Sequence, residues 1–133
     1  MLPARITLTV AQDGDLVDRE FVFDEPCECV IGRAADCDIQ IPTDTEHTDV
    51  SRHHCTLEIH PPHVQVRDLG SLNGTWVNGK KIGQRPANEP SEESGLWPSA
   101  AHALKHGDEL RVGHVVFQVA IAVGLDAVQP SFF

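Results

Sequence analysis

Apolar and polar residues alternate along this chain in short bursts. Ile6, Leu8 and Val10 are separated by Thr7 and Thr9, a period of two that makes one side of the segment apolar and the other polar. The alternation returns at Phe21-Val22-Phe23, at Cys55, Leu57 and Ile59 against Thr56, Glu58 and His60, and at Val64 and Val66 against Gln65 and Arg67. It appears once more at Phe117, Val119 and Ile121 against Gln118 and Ala120. Each burst predicts a half-buried strand. Clusters of Gly, Pro, Asn and Asp divide them: Gln12-Asp13-Gly14-Asp15, Pro61-Pro62, Gly70 to Gly74, Asn78-Gly79 and Gly107-Asp108. Short strands divided by turns predict an all-β fold, a two-sheet antiparallel β-sandwich in which each sheet hides its apolar face on the other. Asn78-Gly79 reads as a hairpin turn.

Two stretches break this rhythm. Pro42-Thr43-Asp44-Thr45-Glu46-His47-Thr48-Asp49 is a polar loop between Ile41 and Ser51. A longer insertion, 83–106, begins with Gln84 to Ser94, whose composition is that of disordered segments. In its second half, Pro98-Ser99-Ala100-Ala101-His102-Ala103-Leu104 places helix-forming residues between a proline and Gly107, which predicts a short helical turn. Trp97 is expected to pin this flap onto the sandwich. Residues 1–123 are read as one domain and 124–133 as a tail, either a linker stub or a docking segment.

Charge and cysteine usage narrow the partners. Ten basic residues against twenty acidic ones give a formal charge of −10, which opposes binding to nucleic acid or an anionic membrane. No apolar run is long enough to span a bilayer and no charged-then-apolar leader is present, so a cytoplasmic protein is expected. Cys27, Cys29, Cys37 and Cys55 lack the paired spacing of structural zinc sites, and the expectation is ordinary thiols with no metal and no cofactor. H-x-x-x-H with a glutamate, G-x-S-x-G and a P-loop are all missing, which argues against an enzyme.

The chemistry lies in three turns. Gly32-Arg33 follows a buried strand, Ser51-Arg52-His53-His54 precedes another, and Asp68-Leu69-Gly70-Ser71-Leu72-Asn73-Gly74-Thr75 joins two more. They place guanidiniums, hydroxyls, a carboxamide and glycine-freed backbone N–H groups on loops, the donor types that capture a phosphate. Each has a plainer reading: Arg33 in a salt bridge to Asp36 or Asp38, Ser51 capping its own turn, Arg52 solvated, and Asn73 as a left-handed turn residue.

These motifs at this spacing resemble the forkhead-associated (FHA) family, which binds phosphothreonine peptides, and the resemblance runs from about Arg5 to about Ala122. It implies a non-catalytic module, a sandwich of about eleven short strands with its recognition loops at one end. Arg33, Ser51, Arg52, Ser71, Leu72 and Asn73 would contact phosphate or phosphopeptide. His53 stands next to the site, free to project toward solvent or peptide, while Gly32, His54 and Gly74 would form the scaffold, His54 as a neutral ring held in one tautomer. Leu72 departs from the family, which often has a threonine here; the lost hydroxyl donor would weaken affinity by about tenfold, unless a backbone N–H of this loop takes its place. The loop before Ser51 is longer than the family's usual connection.

The implied partner is a phosphothreonine-bearing protein, with discrimination against phosphoserine through the γ-methyl. Acidic Asp44, Glu46 and Asp49 favour basic or neutral residues around the phosphothreonine. A monomer is expected, with self-association available if Thr43, Thr45 or Thr48 is phosphorylated and occupies a neighbour's site. The competing reading is a degenerate sandwich that binds proteins without phosphate, to which Leu72 points.

Overall fold

The computed structural model describes residues 4–12, 16–44, 47–85 and 100–124. Alternating segments become strands because β-branched and aromatic side chains fit a pleated, half-buried surface. There are eleven: β1 (Ala4–Gln12), β2 (Glu20–Phe23), β3 (Cys27–Gly32), β4 (Ile39–Gln40), β5 (Cys55–His60), β6 (His63–Asp68), β7 (Thr75–Val77), β8 (Lys80–Gly83), β9 (His102–Ala103), β10 (Glu109–Val112) and β11 (Val115–Val123). They form a six-stranded sheet in the order β2-β1-β11-β10-β7-β8 and a five-stranded sheet in the order β4-β3-β5-β6-β9. The described residues include no helix long and apolar enough to cross a membrane.

The core is built from the positions that the period of two selects. Ile6, Leu8 and Val10 of β1 meet Phe117 and Val119 of β11 beside them, while Ile31, Leu57, Ile59 and Val66 close the interior from the other sheet; all are at most 1% exposed. Burying each such side chain stabilises the fold by about 1.5–3 kcal/mol, so the two sheets hold one another and the loops need not.

Asn78-Gly79 turns β7 into β8 with left-handed φ values of 51° and 81°, as the hairpin reading expects. Asn78 also ties the turn down, donating from Nδ2 to Asp108 and accepting from the Glu109 N–H at 2.9 Å each.

Two expectations are corrected. The sandwich is not wholly antiparallel, because β3 and β4 pair in parallel at Ile31↔Ile39 and Gly32↔Gln40. The helical turn over 98–104 is not formed in its described part: His102–Ala103 is extended and pairs with Val66 and Gln65 of β6. Its alanines favour helix, but the edge of β6 offers backbone partners, and Leu104 donates to the Val64 carbonyl at 2.9 Å and buries its side chain. Tertiary pairing overrides local propensity here. Trp97 and the rest of 86–99 lie outside the described residues, as does the tail 125–133.

Candidate functional site

The three turns meet at one end of the sandwich, where the second is hydrogen-bonded to both the first and the third. At the end of β3, Gly32 has no side chain for a local reason: a Cβ there would stand 2.1 Å from the Arg52 carbonyl oxygen. That close approach brings the β3–β4 loop onto the segment before β5. The Arg33 N–H donates to the Ser51 carbonyl at 3.2 Å and the Ala34 N–H to the Arg52 carbonyl at 3.0 Å. The Arg33 guanidinium follows the same route, its Nε donating to the Val50 carbonyl. This contact takes the place of the salt bridge to Asp36 or Asp38: Asp38 accepts from the Val30 N–H, and Asp36 pairs with His53 at 2.9 Å. The His53 bond pulls the Asp36 carboxyl below its ordinary range.

Ser51 joins the second turn to the third. Its Oγ accepts the Leu72 N–H at 3.0 Å; as acceptor there, the hydroxyl keeps its own proton for another partner. Asn73 crosses the same gap, its Nδ2 donating to the Asp49 carbonyl at 3.1 Å. Arg52, Leu72 and Asn73 are exposed, and Arg33, Ser51 and His53 half-buried. The backbone N–H beside Asn73, a candidate substitute for the missing threonine hydroxyl, is therefore engaged with Ser51.

Beneath this rim lies a buried layer. His54 accepts the Ser51 N–H at Nδ1 (3.0 Å) and donates from Nε2 to the Gly74 carbonyl (2.8 Å). One nitrogen accepts and the other donates, so the ring is neutral with its proton on Nε2. Burial lowers its pKa below the ordinary value, and the bond to Gly74 opposes that only in part.

Ser71 sits differently from its expected place among the ligand contacts. It is fully buried, its hydroxyl donating to Asp68 Oδ1 at 2.5 Å and accepting the Gly74 N–H at 3.0 Å. Asp68 organises the loop: Oδ1 also accepts from the Thr75 hydroxyl at 2.6 Å, and Oδ2 accepts the N–H groups of Gly70 and Ser71 at 2.8 and 3.0 Å. Asp68 and Thr75 bound the third turn in the sequence but carry no evident role there; the one available signal is an aspartate that precedes, by two and three residues, the N–H groups it caps.

The cysteines are free thiols. Burial pushes Cys29 up to about 12 and lifts Cys55 well above its ordinary value, while desolvation raises Cys27 more modestly. Such thiols stay protonated and are poor nucleophiles and ligands. Asp36, Cys37 and His53 bring donor atoms within 4.8 Å of one another, an arrangement open to a metal ion. Two of its members already bond each other, and the Cys37 thiol donates to the Arg52 carbonyl at 3.2 Å. A depression of about 430 Å³ lies elsewhere, on the five-stranded sheet, lined by Pro26, Cys27, Glu28, Glu58, His60 and Gln65. Its two glutamates make it a poor seat for an anion.

Comparison with known proteins agrees with this geometry. The sequence model of the FHA domain matches residues 29–92, which include all three turns. The chain is 31% identical over 112 residues to the oxoglutarate dehydrogenase inhibitor of Corynebacterium glutamicum, covering 84% of this chain and 63% of that protein. It is 32% identical to the glycogen accumulation regulator GarA of Mycolicibacterium smegmatis, covering 84% of this chain and 57% of the relative. The chain thus spans less than two thirds of either. Among solved structures, an FHA domain from work on phosphothreonine-dependent FHA interactions superposes with a TM-score of 0.64 at 27% identity, over 87% of this chain and 95% of that one. The FhaA FHA domain, solved with the intracellular domain of another protein, gives 0.62 at 27% identity, over 86% and 98%.

Proposed function

Since the chain carries a forkhead-associated domain, we propose that its three-turn rim binds phosphothreonine in a partner protein and performs no catalysis itself. The observation that carries the reading is the bonding of Ser51 to both neighbours: its carbonyl holds the Arg33 N–H and its hydroxyl holds the Leu72 N–H. The donors a phosphate needs are thereby assembled before the ligand arrives, which lowers the ordering cost of binding.

Phosphothreonine carries close to two negative charges and three strong acceptor oxygens. Arg33 and Arg52 supply cationic forks, and Ser51 supplies a hydroxyl proton. Asn73, fixed by Asp49, presents its second amide N–H and its oxygen to the main chain of an extended peptide. His53 lies beside the rim for a neighbouring peptide residue. Gly32, His54 and Gly74 hold these groups in place, and Ser71 joins them in that role. The acidic surface beyond the rim is screened over ~8 Å at physiological salt, so the local arginines decide the sign of the field. Regulation through such binding also suits relatives named as an inhibitor and a regulator.

Isothermal titration with a phosphothreonine peptide and its unphosphorylated twin tests the reading. A difference above about 2 kcal/mol is expected, the order of charge-assisted bonds; equal affinities end it. Arg33→Ala separates it from phosphate-independent binding through a sheet face, in which the variant would bind as the parent does.

A further inference from the structure

The loop before Ser51 is anchored by a device the proposed binding reaction does not use directly. His47 is fully buried. Its ring stacks on that of His114, with centroids 5.0 Å apart and planes 28° from parallel. Each ring faces a carboxylate of the same loop: His47 Nδ1 lies 2.6 Å from Asp44 Oδ1, and His114 Nδ1 lies 3.0 and 3.2 Å from the two oxygens of Asp49. The neighbouring turn is shaped to receive the loop, because Gly113 has φ +60° and a Cβ there would fall 2.9 Å from both Asp49 Cγ and Val50 Cγ2. The loop therefore packs directly on the β10–β11 turn, the Asp49 and Val50 side chains lying against the bare Cα of Gly113.

The two residues this anchor fixes hold the rim. The Asp49 carbonyl receives Asn73, and the Val50 carbonyl receives the Arg33 guanidinium. Both acceptors are main-chain atoms, so their positions depend on where the loop backbone is pinned, and the Asp49 carboxylate against His114 is one of the pins. Resting on the phosphothreonine reading above, we propose that His47 and His114, with Asp44 and Asp49, form a latch that positions Asn73 and Arg33 for the phosphopeptide. His114 is a positioning residue: it acts through Asp49 without touching ligand.

The test takes the strongest binder from a degenerate phosphothreonine peptide array and titrates it, with its unphosphorylated twin, against the whole chain. His114→Ala is expected to weaken phosphopeptide binding by about tenfold, the effect of one charge-assisted bond. His114→Asn, whose Nδ2 can stand near the position of Nδ1 and donate to Asp49, is expected to restore most of the loss. In a double-mutant cycle, Asn73→Ala should weaken binding less in the His114→Ala background than in the parent, since residues acting in one chain of contacts are not additive. Should His114→Ala fail to fold, Asp49→Asn decides, because it keeps the side-chain volume and the carbonyl that Asn73 uses; weaker phosphopeptide binding is expected there too. Parental affinity in the variant that decides, or full additivity with Asn73→Ala, overturns the latch while leaving the phosphothreonine reading intact. A parent chain that binds both twins equally overturns that reading instead.

Discussion

The rim and the layer under it use the same kinds of polar residue to opposite ends. In the buried layer, Asp68 accepts four hydrogen bonds and His54 bridges two loops from inside. At the rim, Arg52, Leu72 and Asn73 face solvent and Ser51 retains a hydroxyl proton. A buried polar group must be satisfied within the protein, whereas an exposed one can exchange water for a ligand. In the proposed reading the layer below sets geometry and the rim meets the ligand. A serine in either place looks alike in sequence, and burial alone distinguishes Ser71 from Ser51.

Substitutions in the two layers should consequently fail differently. Asp68→Ala leaves buried donors of Gly70, Ser71 and Thr75 without their acceptor and is expected to lower stability by about 3 kcal/mol or more. Urea unfolding measures it; a midpoint within error of the parent's would show that the buried layer is not structural. Arg33→Ala should spare the urea midpoint by comparison and weaken phosphopeptide affinity by about 2 kcal/mol, roughly thirtyfold. If stability fell as far as in the Asp68 variant, the division between layers would collapse.

Leu72→Thr sharpens the comparison from the other side. It adds a hydroxyl at an exposed rim position without touching the layer beneath, so affinity should rise by up to about tenfold with stability nearly unchanged. Unaltered affinity would mean that position 72 does not face the phosphate. The smallest effect is a pH dependence. The folded His54 ring has a pKa below its ordinary 6.5, so the unfolded chain takes up a proton that the folded chain refuses. This group's contribution is fully present above 6.5, is lost as pH falls below it, and levels off once the folded ring protonates too. Urea midpoints compared with those of His54→Asn isolate the contribution, and parallel pH profiles for the two proteins would contradict it.

Much of this was legible in the sequence because its signals are local. A period of two marks β1, β5, β6 and β11 without reference to anything distant, and Asn78-Gly79 specifies its own turn. The three turns were legible as donors. What could not be read is where a donor points. Ser71 sits between Gly70 and Leu72 in a string of turn residues, and only the position of Asp68 beneath it turns the hydroxyl inward. The Arg33 contact to Val50 was equally hidden, since aspartates closer in sequence were the evident partners. The helical turn expected over 98–104 fails in its described part for a related reason: helix propensity is carried by the segment, but the edge of β6 that captures His102–Ala103 belongs to a strand more than thirty positions earlier. The parallel β3–β4 pair is only two residues long and too short to leave a periodic trace.

The central claim, that rim atoms of three turns take the phosphate while the layer below stays fixed, is tested most directly by ¹H–¹⁵N correlation spectra recorded during titration with phosphothreonine peptide. The account predicts that the amides of Arg33, Ser51, Arg52, Leu72 and Asn73 shift together and saturate with one dissociation constant, and that the unphosphorylated twin leaves them in place. Shifts centred instead on Glu28, Glu58, His60 and Gln65 of the five-stranded sheet, or equal shifts with both peptides, would contradict it.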